Sequence, residues 1–69
     1  MNIIKIDTEF IKLSQGMKMA ALVQSGGEAK QLILEGQVLV NNEVCTQRGR
    51  KLYKDDVFEF DGIKYVIQS

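Results

Sequence analysis

The chain contains no histidine, no proline and no tryptophan, and a single cysteine, Cys45, among its 69 residues. Without histidine and with one thiol, it cannot assemble the nitrogen and sulfur ligand sets that hold transition metals, and no internal disulfide can form. The same absence removes the commonest general base. No serine or cysteine nucleophile stands with a base, and no phosphate-cradling P-loop occurs. The composition therefore reads as a non-catalytic protein with no cofactor and no metal. No apolar run approaches the roughly 18 residues that span a membrane. The N-terminal stretch MNIIKIDTEF lacks the basic, apolar and small-residue pattern of a secretory signal. A cytoplasmic protein with no membrane segment is expected.

Net charge is also absent: nine basic residues balance nine acidic ones. Their distribution is uneven. Between Lys12 and Lys54 lie seven basic residues and three acidic ones (Glu28, Glu35, Glu43), whereas Asp55, Asp56, Glu59 and Asp61 follow in a cluster. A basic side and an acidic side are expected, a field that orients a polyanion. No linker, repeat or low-complexity tract divides the chain, so residues 1–69 read as one domain. A domain of this size buries only about 60% of its unfolded surface, so its core must be simple.

Asn2 to Ile6 favours a short strand, Asp7-Thr8 a turn, and Glu9 to Lys12 extended chain. A first helix is expected from Ser14, a good N-cap. Leu13, Met17, Ala20, Ala21 and Val23 recur at helical spacing, widened by Met19 and Leu22. Ser25-Gly26-Gly27-Glu28 fits a capping box, and Ala29, Leu32 and Ile33 form the apolar face of a second helix. Only two or three residues are expected between the helices. Gly36 stands where a helix ends in a left-handed residue. The hydrophobic period then changes to two. Val38 and Val40 lead to Asn41-Asn42, which suits a type I′ turn, with Val44 to Thr46 as the returning strand. Gln47 to Lys51 reads as a polar loop, and Leu52-Tyr53 leads to a turn at Lys54-Asp55-Asp56. Strands at Val57–Phe60 and Ile63–Gln68 flank a turn at Asp61-Gly62. This order reads as α+β: two packed helices followed by a small, mostly antiparallel sheet.

The ordered set Ala29, Leu32, Ile33, Gly36, Val38, Val40 and Asn41, closed by Asp56-Val57-Phe58-Glu59-Phe60, resembles the RNA-binding domain of the ribosomal protein S-four type, or αL motif. The resemblance covers roughly residues 10–60. The pattern from GGEAK through VNNE to LY is similar to small stand-alone bacterial members of the YaaA and YbcJ type. Two departures stand out. The family often carries Ser-Arg where this chain has Ser25-Gly26-Gly27, and Asn-Gly where it has Asn41-Asn42. The resemblance implies an S-four-like αL fold and ribosome-associated binding of structured RNA, ribosomal or transfer RNA, through backbone phosphates and shape.

RNA duplexes hide base edges in a deep, narrow groove, so proteins read their shape, phosphates and 2′-hydroxyls, or unpaired bases. Arginine suits phosphate through its planar fork. Arg48 and Arg50, separated by Gly49, are the first candidates, with Lys51 and Lys54 as added point charges. Lys30 lies in the first turns of the second helix, whose N-terminus favours an anion. Gly27, with Gly26, would let a phosphate approach there, or would simply form an interhelical turn. Asn41 is a turn residue first and a contact second. Lys18 completes the candidate set. Lys12 is undecided between a contact and a solvated charge, and Tyr53 between stacking on a base and filling the core. The rival reading is a protein-interaction or adaptor module, with a protein partner on the acidic face. A monomer is expected.

Overall fold

In the computed structural model, which describes residues 1–69, the chain runs β1 (Asn2–Lys5), β2 (Phe10–Lys12), α1 (Leu13–Met19), α2 (Gly26–Leu34), β3 (Val38–Val40), β4 (Glu43–Val44), β5 (Lys51–Tyr53), β6 (Val57–Phe60) and β7 (Ile63–Gln68). Five strands form one sheet in the order β1-β7-β6-β3-β4, and β2 pairs with β5 in a separate two-stranded ribbon. All pairings are antiparallel except β1 with β7. The expected α+β class holds. Alternation places Ile4, Val38, Val40, Phe58, Tyr65 and Ile67 on the covered face of the sheet. There they join Leu13 and Met17 of α1, Ala29 and Ile33 of α2, and Ile11 and Leu52 of the ribbon in one apolar cluster. The rings of Phe58 and Tyr65 stack at 4.9 Å.

The turns behave as their residues dictate. Asn41 and Asn42 both have positive φ (51° and 71°), as do Asp61 and Gly62 (55° and 78°), so both hairpins carry the conformation that fits strand twist. Helix α2 begins at Ser25, whose Oγ accepts from the Glu28 amide at 3.2 Å. The return half of the expected capping box is displaced by one residue: the Glu28 carboxylate accepts from Gln24 N–H at 2.8 Å rather than from the cap itself. Gly36 (φ +75°) ends α2, with Gly36 N–H donating to Ile33 and Gln37 N–H to Leu32, the paired bonds of a Schellman motif.

Helix α1 departs from the sequence expectation at both ends. It starts at Leu13 rather than Ser14, and its N-cap is Lys12, whose ammonium has no acceptor to offer. Two other groups satisfy the first turn. Gln15 Oε1 accepts from Lys12 N–H at 3.0 Å. The Leu13 and Ser14 amides donate to the carbonyls of Arg50 (2.8 Å) and Arg48 (3.3 Å), so the basic loop caps the helix from outside. At the far end α1 stops at Met19 instead of running on to Val23, and residues 20–25 separate the helices where two or three were expected. Ala21 adopts φ +60°, while Ala21 N–H donates to Lys18 and Leu22 N–H to Met17. This is a second Schellman motif, closed by a residue with a Cβ. Leu22 and Val23 still pack on the core from outside the helix, so their spacing matched a helix that had already ended. Midway along α1, Gly16 sits against the Phe58 ring, where a Cβ would lie 3.1 Å from the ring edge. That close approach seats α1 on the sheet and offsets the roughly 1 kcal/mol that a helical glycine costs.

A left-handed alanine is strained, and glycine removes the strain at some cost in unfolded-state entropy. Ala21→Gly is expected to stabilise the protein by about 0.5 kcal/mol, raising the thermal midpoint by roughly 2–4 °C in a calorimetric melt.

Candidate nucleic-acid interface

The external capping of α1 decides where the basic loop lies. With the Arg48 and Arg50 carbonyls held by the first turn of α1, and a turn closed by Arg50 N–H donating to Gln47 at 3.1 Å, the loop sits beside the start of α2. Lys12, Ser14, Gly26, Arg48 and Gly49, none of them hydrophobic, line one hollow of about 250 Å³ there. Gly26 and Gly27 occupy the first turn of α2, and their amides have no partner within the protein. No atom lies within 4 Å of a Cβ built on Gly26 or Gly49. The hollow thus presents a guanidinium, an ammonium, a hydroxyl and the positive end of a helix to one space, a donor set suited to a phosphate.

The other expected residues divide by position. Gly27 borders this end of α2, and Lys30 lies exposed one turn further along it. Arg50 is exposed at the start of the ribbon, next to Lys51. Lys51 projects from the outer face of β5, its Nζ 4.8 Å from the centre of the Phe10 ring. Lys18 stands exposed in the last turn of α1, bordering a separate shallow hollow with Ile11, Gln15 and Met19. Lys54 lies in the β5–β6 turn, away from the hollow. None of the side-chain hydrogen bonds ties these cations to a carboxylate.

Asn41 has a different occupation. Its Nδ2 donates to Asp56 Oδ1 at 3.2 Å, and its Oδ1 accepts from Val57 N–H at 3.0 Å. The second Asp56 oxygen accepts from Tyr53 N–H at 2.7 Å. Asn41 and Asp56 therefore lock the β3–β4 hairpin to the β5–β6 turn, and both ends of the amide are engaged inside the protein. Two participants outside the expected set emerge. The sequence suggests Ser14 only as a helix cap and leaves Lys12 between a contact and a solvated charge; the fold sets both on the hollow. The alternation of Phe10-Ile11-Lys12, with Ile11 buried, was the available signal for Lys12.

Residues 4–68 match the S4 domain. The chain belongs to the S4 domain family. The match extends the resemblance, read over roughly residues 10–60, to nearly the whole polypeptide. A relative from Bacillus subtilis (strain 168), a "Probable ribosome maturation protein RlbA", is 54% identical over 61 residues, which cover 88% of this chain and 86% of the relative. In this S4 domain the hollow, the basic loop and the α2 N-terminus form a single flank, and no helix is long and apolar enough to cross a membrane.

Removing the Asn41 amide deletes a hydrogen bond to a charged group and leaves the Val57 amide without its side-chain acceptor. Asn41→Ala is expected to lower stability by about 1–2 kcal/mol in a urea titration, while RNA affinity measured well below the unfolding transition stays within about twofold of the parent.

Proposed function

We propose that this S4 domain is a non-catalytic, monomeric RNA-binding protein that recognises structured RNA by its phosphates and shape, with ribosomal RNA as its target during ribosome maturation. The observation that carries this reading is the polar hollow where Arg48, Lys12 and Ser14 meet the unpartnered amides that open α2. Each is a donor, and several converge on one space. The maturation role is supported by the 54%-identical relative, a probable ribosome maturation protein. Arg48 and the α2 amides take one phosphate. Arg50, Lys51 and Lys30 flank it and meet neighbouring phosphates. Such a surface reads a helix through its backbone, with little dependence on base sequence.

The rival protein-docking reading drew on the acidic C-terminal stretch. Asp56 is committed to Asn41 and the Tyr53 amide, and Asp55 and Asp61 occupy left-handed turn positions. These three carboxylates have a structural reason to be there, which weakens the case for a protein partner on the acidic stretch.

Arg48 and Arg50 hold α1 through their carbonyls, so truncating their side chains leaves the caps in place. The double variant Arg48→Ala, Arg50→Ala is expected to melt within a few degrees of the parent but to bind an RNA duplex at least about tenfold more weakly. Its log-affinity against log-salt slope should be shallower by about two, since roughly one counterion is released per phosphate contact. Unchanged affinity and slope in an anisotropy titration would refute the reading.

A further inference from the structure

The ribbon beside the hollow carries a feature that phosphate binding does not use. Strands β2 (Phe10-Ile11-Lys12) and β5 (Lys51-Leu52-Tyr53) pair antiparallel with Phe10 opposite Tyr53, Ile11 opposite Leu52 and Lys12 opposite Lys51. Ile11 and Leu52 point into the core, so alternation puts both aromatic rings and both ammonium groups on the outer face. The rings of Phe10 and Tyr53 lie 5.6 Å apart at 46°, and Lys51 Nζ stands over Phe10. Tyr53 is 42% exposed.

The ring pair and the Lys51 cation over Phe10 are favourable in themselves, but they do not account for the two ammonium groups or for the exposed part of Tyr53. Like charges directly opposite across a strand pair are unfavourable, and no carboxylate is hydrogen-bonded to either lysine. Phe10 has its cation, but two-fifths of Tyr53 is left to solvent although both partners of the central Ile11–Leu52 pair are buried. Lys12 also lines the phosphate hollow. It stands two residues, about 7 Å, from Phe10 on the same strand face. The hollow and the aromatic pair are therefore two parts of one surface, joined at Lys12.

We propose that the outer face of the β2–β5 ribbon is a stacking site for one unpaired RNA base, with Tyr53 as the platform, Phe10 bracing it from the side, and Lys12 and Lys51 holding the phosphates on either side of that base. The proposal rests on the RNA-binding reading above and narrows it. The preferred target is a duplex interrupted by, or ending in, a single-stranded nucleotide. A perfect duplex engages the hollow and leaves the ribbon idle.

The test compares a blunt RNA duplex with the same duplex carrying a one-nucleotide bulge, each fluorescently labelled and titrated with the full chain. The parent is expected to bind the bulged RNA about 5- to 100-fold more tightly, the range that stacking on one aromatic ring supplies. Tyr53→Ala should erase that preference and leave affinity for the blunt duplex unchanged, whereas Tyr53→Phe should keep it. A readout on the unmutated protein needs no variant to fold. The chain has two tyrosines and no tryptophan, and Tyr65 is buried, so bulged RNA should quench the Tyr53 emission and blunt duplex should not. Equal affinity for the two RNAs, an equal loss on both with Tyr53→Ala, or no selective quenching would overturn the stacking site. If blunt-duplex binding still depends on Arg48 and Arg50, only the stacking site fails. If neither RNA binds, the RNA-binding reading fails and takes this one with it.

Discussion

The amides that open α1 donate to the carbonyls of Arg48 and Arg50, and the arrangement of the surface depends on that contact. A helix begins with N–H groups that have no partner of their own. Here a loop distant in sequence supplies acceptors for two of them. The loop is polar, contains a glycine, and would otherwise be free to move. Tied at two carbonyls, it holds Arg48 against the start of α2 and delivers Arg50 and Lys51 to the ribbon. The backbone does the fastening, so the guanidinium groups remain available for a ligand.

A second link does similar work at the other end of the ribbon. Asp56 accepts from Asn41 and from the Tyr53 amide, joining two turns that are far apart in sequence. The ribbon is thereby held at both ends, by α1 through the basic loop and by the sheet through the β5–β6 turn. Rigidity of this kind lowers the ordering cost of binding, because the donors do not have to be gathered when the ligand arrives. It also explains a surface basic enough for a polyanion on a chain with no net charge. Asp55, Asp56 and Asp61 serve turns, while Lys12, Lys30, Arg48, Arg50 and Lys51 lie on or beside the flank that the two helix starts share.

Much of the fold was legible in the residues. The two hairpin turns, the Ser25 cap, the Gly36 stop and the change of hydrophobic period from helical to alternating all lie within a few residues of their causes, and each took the expected form, save that the Glu28 carboxylate turned to Gln24 rather than to the cap. The features that were not legible depend on partners distant in sequence. Helix α1 begins one residue early because its cap comes from residues 48 and 50, and it ends early because Ala21 takes a conformation for which glycine would have been the usual sign. Lys51 to Tyr53 proved to be a strand only because residues 10–12 pair with it. The same distance effect governs the interface. Arg48 and Gly27 could be nominated by type, whereas the meeting of Arg48 with Lys12 and Ser14 could not.

By itself the sequence determined the class of fold, the family and the kinds of side chain available for an anion, because local geometry and hydrophobic period are properties of neighbours along the chain. Tertiary structure alone decided which cations share a surface, that Asn41 braces two turns, and that Phe10 and Tyr53 face outward side by side. Those outcomes rest on strand register and on hydrogen bonds between residues from fifteen to some forty positions apart, and no local preference encodes which of many possible partners such groups will meet.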